Sequence, residues 1–181
     1  MGDSSGAGRR GWMLAVLRRY EGPLVRYAAR ITGDVDRGRD VAQETFLRLW
    51  KSRGSVAREH LGQWLFTVCR NRAVDVLRKE GRMSMLPEQA AELAPSCQPG
   101  PAELAERHED AAAAMRALQA LPPNQQEVIR LRLQEGFSYR QIAAITKLTV
   151  SNVGFLIHTA LKRIRRRLGA DASGGRSEEN R

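Results

Sequence analysis

The sequence predicts an all-α protein with two small helical domains joined by a flexible linker. Apolar residues recur at helical spacing along most of the 181 residues, and the alternating runs typical of β-strands are few. Hydrophobic residues make up 42% of the chain, which is enough to form a core. Between residues 83 and 102 the helical spacing stops and four prolines occur, which indicates the linker.

The chain begins with a polar, glycine-containing stretch, residues 1–10, which we expect to be a disordered arm. Residues 12–32 then carry apolar side chains at helical spacing, which Gly22 and Pro23 interrupt. Because proline lacks a backbone donor and crowds the preceding helical turn, this pattern predicts either one kinked helix or two helical pieces.

Two more helices complete the first domain, residues 11–82. Residues 34–51 form the second predicted helix, and a loop at residues 52–60 leads to the third, residues 61–79. Each has one apolar side that is expected to be buried. The predicted core residues are Ala42, Phe46, Leu49 and Trp50 on the second helix, and Leu65, Cys69, Ala73, Val76 and Leu77 on the third.

The second domain, residues 103–168, is predicted to contain two helices followed by a helix-turn-helix. Residues 103–120 form the first of these helices. The next, residues 124–135, starts after a Pro-Pro pair and closes at Gly136, which are common helix start and stop residues. Residues 169–181 are polar and are expected to form a disordered tail.

The helix-turn-helix is the most informative segment of the sequence. Ser138 can cap a short helix, a tight turn at residues 146–148 follows, and Thr149 can cap a second helix. In such a motif, the second helix projects from the first and can place its side chains in the major groove of DNA. The alternative is a surface helix pair with a solvated basic end. The second helix is predicted to face the core with Val153, Ile157, either Ala160 or Leu161, Ile164 and Leu168.

The chain carries a formal net charge of +10, and its cations are clustered. Arg and Lys are concentrated in residues 70–82 and 162–167, whereas residues 103–110 are acidic. This distribution favours a polyanion as partner, nucleic acid first and an acidic membrane surface second. The clustering argues against the alternative that the charged residues only keep a helical protein soluble.

The sequence contains no residue pattern typical of an enzyme or a metal site. There is neither a GxxxxGK[ST] phosphate-binding loop nor a GxSxG nucleophile motif. The histidines are scattered, and Cys69 and Cys97 lack metal-ligand spacing, so we expect no cofactor and two free thiols. No apolar run is long enough to span a membrane and no secretion signal is recognisable, so no membrane insertion is expected.

Two exposed helical surfaces are candidates for binding. One on the second helix combines acidic and amide groups with a leucine; it either docks a protein partner or only complements the helix dipole. One on the third helix interleaves cations with amide and carboxylate groups, which can hold phosphates and bases. The first consists of Asp40, Gln43, Glu44 and Leu47, and the second of Arg70, Asn71, Asp75, Arg78 and Lys79.

Four segments together resemble bacterial RNA polymerase sigma factors of the sigma-70 family, in the extracytoplasmic-function (ECF, group IV) subfamily. They are DVAQETFLRLW at residues 40–50, WLFTVCRNRAVDVLR at 64–78, LPP at 121–123 and FSYRQIA at 137–143. Their order and spacing match over about residues 10–168. The resemblance implies sigma region 2 at residues 11–82, a linker toward the RNA exit path, and sigma region 4 at residues 103–168.

The resemblance also implies roles for the two surfaces of the first domain. The surface of the second helix would dock on the clamp helices of the largest polymerase subunit. The surface of the third helix would lie along the minus-ten promoter element, and the loop at residues 52–60 would hold a flipped non-template base.

Region 4 would read the duplex minus-thirty-five element and touch the flap of the second-largest polymerase subunit. The sequence departs from the family at the turn, where Lys147 replaces a common Gly. It departs again on the second helix, where Gly154, Leu156 and Thr159 stand at positions that often carry cations. The expected DNA-contacting residues are Tyr139, Arg140, Lys147, Thr149, Ser151, Asn152, Phe155 and Thr159.

The function implied is that of a promoter-specificity subunit that binds core RNA polymerase and promoter DNA without covalent chemistry. The resemblance further implies an anti-sigma factor as partner and a cytoplasmic location in a bacterium, with sequestration at the membrane by that factor. A stand-alone helix-turn-helix regulator, with the N-terminal domain for sensing or dimerisation, is the alternative.

Overall fold

In the computed structural model, every secondary-structure element among the described residues is a helix, which confirms the all-α prediction. The chain divides into two compact units, and the first of them carries α1–α3. These are α1 (Ser4–Thr32), α2 (Val35–Lys51), a short 3₁₀ turn (Arg58–His60) and α3 (Leu61–Met83). The described residues are 4–52, 56–83 and 103–174, with side chains at 8–52, 56–79 and 111–169.

The second unit carries α4, α5, α7 and most of α6. Their bounds are α4 (Glu103–Gln119), α5 (Pro123–Leu133), α6 (Tyr139–Thr146) and α7 (Val150–Gly174). The predicted linker at residues 83–102 lies outside the described residues, apart from the last residue of α3.

Both ends of the described chain are more helical than the sequence suggested. A disordered arm was expected at residues 1–10, but α1 already begins at Ser4. The Arg9 guanidinium explains part of this extension, because it stacks over the Trp50 ring with its carbon 4.4 Å from the ring centroid. It also donates a hydrogen bond to the Trp50 carbonyl. At the other end, α7 continues to Gly174 into the expected disordered tail.

Helix α1 is one continuous element with Pro23 inside it, which decides between the two alternatives for residues 12–32. Gly33 follows its last residue, Thr32, with a φ of 74° in the left-handed region that a residue without a Cβ adopts easily. The Asp34 side chain then accepts a hydrogen bond from the Arg37 amide at 2.8 Å and caps α2.

The core of the first unit lies between α1, α2 and α3. Leu24, Leu49, Leu65 and Phe66 are fully buried there, and the Phe66 ring packs on Tyr27 with their centroids 5.1 Å apart. Burial of side chains of this size is the main term that stabilises such a bundle.

Two core predictions for this unit are wrong. Trp50 is 41% exposed, since it lies in the last turn of α2, where Arg9 rather than the core covers its ring. Leu77 is exposed and Val76 only half-buried, because α3 extends beyond the bundle after Ala73.

Helices α1 and α2 approach each other very closely at Gly38. A Cβ at this position would lie 2.8 Å from the Ala29 amide nitrogen, 2.9 Å from the Ala29 Cβ and 2.9 Å from the Val25 carbonyl oxygen. Glycine in a helix interior costs about 1 kcal/mol relative to alanine, so its presence here is explained by the space it leaves for α1.

In the second unit, α5, α6 and α7 contribute core residues that include Val128, Ile142 and Val153. Gly136, with φ 73°, reverses the chain after α5 as the sequence predicted. The amide of the next residue, Phe137, donates back to the Leu131 carbonyl at 3.1 Å, which satisfies an end carbonyl of α5.

The helix-turn-helix of this unit has the local structure that its sequence predicts. Ser138 and Gln141 form a reciprocal capping box at the start of α6. The Thr149 hydroxyl accepts a hydrogen bond from the Asn152 amide at 3.2 Å and caps α7. The two helices are bent by 104°, within the range typical of helix-turn-helix motifs.

Lys147 forms the turn between α6 and α7 in an unfavourable backbone conformation. Its φ of 61° and ψ of 29° are left-handed, and it is the non-glycine residue with positive φ in the described part of the chain. A residue with a Cβ pays about 1–2 kcal/mol in this region.

We expect Gly38→Ala to destabilise the first unit by about 1–3 kcal/mol, because the added methyl would overlap the α1 backbone. Urea unfolding followed by tryptophan fluorescence reports on this unit alone, since Trp12, Trp50 and Trp64 all lie in it. Gly11→Ala is the control; its Cβ meets nothing within 4 Å, so it should be neutral or stabilising. Unchanged stability of Gly38→Ala would contradict the close helix approach.

We expect Lys147→Gly to stabilise the second unit by about 0.5–1 kcal/mol. The substitution removes the strain of the left-handed conformation, but glycine also gives the unfolded chain more conformational entropy, which offsets part of the gain. Slower hydrogen–deuterium exchange of the α6 amides in the full chain would show the effect. Lys162→Gly, in the interior of α7, serves as the opposite control and should speed exchange. Faster exchange in Lys147→Gly would show that the turn is not strained.

Candidate functional site

The predicted binding surface of α2 is exposed as expected. Asp40, Gln43 and Leu47 point to solvent, and Glu44 is half-buried between them. Leu47 is 57% exposed, an unusual position for a large aliphatic side chain. These four residues form a continuous strip, called here the α2 face, because they recur three and four residues apart.

Glu44 differs from its neighbours because it connects α2 to α3. Its carboxylate accepts hydrogen bonds from Arg48 at 2.9 Å and from Arg72 of α3. Burial alone would raise the pKa of Glu44, but the hydrogen bonds from Arg72 and Arg48 outweigh it and the pKa is lowered. The sequence did not reveal Arg72 as a partner, because a pair separated by 28 residues leaves no local pattern.

An apolar groove of about 440 Å³ runs beside the α2 face, between α1 and α2. Leu47 and Gln43 belong to both the groove and the α2 face, while Trp50 lines the groove near the end where Arg9 stacks on it. The remaining apolar lining includes Met13, Leu17, Val25 and Phe46. A groove of this kind suits the apolar side of a partner helix.

The predicted surface of α3 combines half-buried and exposed groups. Arg70 and Asn71 are half-buried, whereas Asp75, Arg78 and Lys79 are exposed. Asn71, Asp75 and Arg78 share one side of the helix, as their spacing requires. The neighbouring loop was expected to capture a base, but its residues 53–55 lie outside the described part of the chain.

The predicted DNA-contacting residues of α7 lie on one side of the helix. Ser151, Asn152 and Phe155 are exposed, and Thr159 is half-buried. Thr149 is exposed too, but its hydroxyl already caps the helix. These residues, without the cap, are called here the α7 face.

Three further predicted contacts flank the α7 face. Arg140 and Lys147 are exposed on α6 and in the turn. The Tyr139 ring lies partly under α7, since a Cβ built on Gly154 would be 3.7 Å from its Cε2 atom. Arg132 covers the ring from α5 at 5.6 Å from the centroid. Tyr139 therefore supports α7 as well as facing solvent.

Leu156 is not available for DNA contact, although by the family resemblance it stands at a position that often carries a cation. It is 6% exposed and packs in the core, next to Ile157. Gly154, by contrast, has room for a side chain, because the nearest atoms to its Cβ position are at ordinary contact distance.

The basic end of α7 combines exposed cations with one packing contact. Lys162, Arg165, Arg166 and Arg167 are exposed and available to phosphates. Arg163 donates to the Gln125 side-chain oxygen at 3.2 Å and thereby joins α7 to α5. One member of the basic cluster is thus part of the packing.

Reactive groups are shielded or dispersed in the described residues. Burial raises the pKa of the Cys69 thiol to about 12, so it stays protonated and unreactive at neutral pH. In the ranges with described side chains, no group of three His, Cys, Asp or Glu residues could hold a metal ion. No single helix in those ranges is long and apolar enough to cross a membrane.

Comparison with known protein families finds two matches in chain order. Residues 16–83 match the model for Sigma-70 region 2, and residues 111–164 match the model for Sigma-70, region 4. The first covers α2, α3 and most of α1, and the second covers the helix-turn-helix.

Two similar proteins are ECF RNA polymerase sigma factors. ECF RNA polymerase sigma factor SigL of Mycobacterium tuberculosis is 32% identical over 84% of this chain and 86% of its own. ECF RNA polymerase sigma factor SigE of Mycolicibacterium smegmatis is 28% identical over 87% of this chain. The chain spans less than two thirds, 62%, of SigE.

Among solved structures, the fold is similar to the sigma factor RpoE of Bartonella quintana in its complex with the anti-sigma factor NepR. The TM-score is 0.67 at 26% identity, covering 87% of this chain and 96% of RpoE.

Proposed function

This chain belongs to the ECF sigma factors of the sigma-70 family, and from this membership we propose that it is a promoter-specificity subunit of RNA polymerase. In this role it binds the core enzyme, recognises the minus-ten and minus-thirty-five elements of a promoter, and promotes transcription initiation. Sigma factors are non-enzymatic subunits, so the contribution is binding energy rather than covalent chemistry.

The observation that carries this proposal is the order of two matched regions on two compact units. The second unit ends in helices bent by 104°, a geometry suited to the major groove. The first unit instead has a basic helical surface on α3 and an apolar groove between α1 and α2. A promoter reader needs both a duplex-binding and a strand-binding part.

Core binding is assigned to the α2 face, which would dock on the clamp helices of the largest subunit. Asp40 supplies charge, Gln43 supplies hydrogen bonds, and Leu47 supplies apolar area that is exposed in the free chain. Glu44 acts mainly by fixing α2 against α3 through Arg72. A partly exposed ion pair of this kind contributes about 1 kcal/mol or less to stability, so orientation is its main effect.

Promoter melting is assigned to the α3 surface. Arg70, Arg78 and Lys79 would attract the phosphates of the minus-ten element, while Asn71 and Asp75 offer hydrogen-bonding groups to unpaired bases. The loop after α2 would receive a flipped base. An unpaired base can stack on a protein side chain in place of its neighbours in the duplex. Since this contact forms only after the strands separate, each base that the protein holds stabilises the melted promoter.

Duplex recognition is assigned to the α7 face with Arg140 and Lys147. Its exposed Ser151 and Asn152 are within the first turns of α7, where side chains reach base edges in helix-turn-helix proteins. The same unit would touch the polymerase flap, and the linker would run toward the RNA exit path.

An anti-sigma factor is the proposed regulator, and the similarity to RpoE in its complex with NepR supports this. The groove between α1 and α2 is a suitable site for it. Because the groove shares Leu47 and Gln43 with the α2 face, an occupant there would compete with core polymerase. We place the protein in the bacterial cytoplasm, where a membrane-bound anti-sigma factor could hold it.

We expect run-off transcription with purified core enzyme to give a promoter-specific product on genomic fragments enriched by the holoenzyme. Core enzyme without this chain is the control and should give no such product. No specific product on any enriched fragment would refute the proposal. Salt-sensitive binding of an operator by the chain alone, without affinity for polymerase, would instead favour a stand-alone regulator.

We expect Leu47→Asp to weaken binding to core polymerase about tenfold or more, because it puts a charge where an apolar contact is proposed. Leu14→Asp is the matched control, since Leu14 is 55% exposed on α1 and outside the groove. Anisotropy titration of the labelled chain with core enzyme measures both. Equal affinities of the two variants would remove the α2 face from the docking site.

A further inference from the structure

The first half of α7 has an uncharged surface in a chain whose net charge is +10. Residues 148–161 contain no Lys, Arg, Asp or Glu, and the cations begin at Lys162. The exposed side chains of this stretch of helix are Val150, Ser151, Asn152, Phe155 and His158.

Phe155 is the most conspicuous of these side chains. It is 66% exposed, whereas Val153, Leu156 and Ile157 around it in sequence are buried in the core. A phenyl group left in water forgoes the free energy of burial, so covering it in a complex would contribute to binding. Asn152 precedes it by three residues on the same side of the helix.

The chemistry of the α7 face limits which bases it can recognise. Arg or Lys bonded to guanine is the commonest specific contact in the major groove, and residues 148–161 contain neither. Asn is suited to adenine, and an aromatic or aliphatic side chain is suited to the methyl group of thymine. Asn152 and Phe155 together therefore match A·T pairs.

We propose that Phe155 recognises the C5-methyl group of thymine in the duplex minus-thirty-five element, so that this chain selects A·T rather than G·C at that position. This assignment rests on the proposed function and names the base chemistry of its duplex-binding part. Asn152 would pair with an adjacent adenine.

The charges around the α7 face favour DNA as its occupant over an apolar protein surface. Arg140 and Lys147 are exposed before it, and Lys162 and Arg166 after it. This pattern, an uncharged centre with cations on both sides, is complementary to a groove floor with base edges between two phosphate backbones. Gly154 beside Phe155 adds no side chain that would block its approach.

Deoxyuridine tests the proposal, because it lacks the methyl group of thymidine and keeps the same hydrogen-bonding groups. Holoenzyme made from core enzyme and the full chain first enriches promoter fragments from genomic DNA. Each thymine of the minus-thirty-five element is then replaced singly by deoxyuridine, and holoenzyme affinity is measured. We expect a loss of about fourfold at one position or two, which corresponds to one buried methyl group.

The variant Phe155→Ala links this loss to Phe155. It should bind the thymine-containing promoter more weakly and show no further loss with deoxyuridine. Leu133→Ala is the matched control, because Leu133 is 65% exposed on α5 of the same unit, and it should keep the full deoxyuridine effect. The deoxyuridine series with the unaltered chain tests the methyl contact even if the Phe155→Ala variant does not fold.

The outcomes separate this proposal from the proposed function. If no promoter is enriched, the proposed function fails and the assignment of Phe155 fails with it. If a promoter is enriched but deoxyuridine has no effect at any position, the thymine contact is refuted and the sigma function stands. A deoxyuridine effect that persists in Phe155→Ala would equally refute the role of Phe155.

Discussion

The close approach of α2 to α1 at Gly38 determines which side of α2 remains available to a partner. Because a Cβ there would overlap the α1 backbone, the two helices can meet only where glycine stands. Val41, Thr45 and Leu49 are then buried on the same side, and the α2 face is left in solvent. Arg72 fixes the rotation of the helix further by holding Glu44 from α3. The proposed polymerase-binding surface is thus set by packing on the opposite side of one helix.

Several polar residues in the second unit serve its structure before any ligand is bound. The Thr149 hydroxyl caps α7, Arg163 bonds to Gln125, and the Tyr139 ring supports the helix beneath Gly154. These side chains position the α7 face and are only partly free to contact DNA. Under the proposed function, recognition of bases would fall to exposed residues whose side chains make no such contact in the described structure, with Ser151, Asn152 and Phe155 foremost among those in the α7 face.

Local features of this fold could be predicted from the sequence, whereas contacts between helices could not. The caps at Ser138 and Thr149 and the stop at Gly136 were correctly predicted, because each depends on residues within one turn. The prediction that Trp50 lies in the core was wrong, because helical periodicity does not show where a helix extends beyond the helices that pack against it. The Gly38 contact and the Arg72–Glu44 pair were missed because both join residues on different helices. The proposed roles of the site residues rest on family resemblance more than on periodicity.

Under the proposed function, affinity for DNA and specificity for its sequence would come from different parts of α7. The exposed cations at its basic end can attract phosphates of any sequence, and that attraction weakens with salt as counterions are released. The uncharged α7 face contributes little to this attraction, since it has no formal charge over residues 148–161. Discrimination between promoters must then depend on short-range contacts such as methyl burial and amide hydrogen bonds, which are insensitive to salt. It follows that raising salt should weaken binding to all promoters together while leaving their order of preference unchanged.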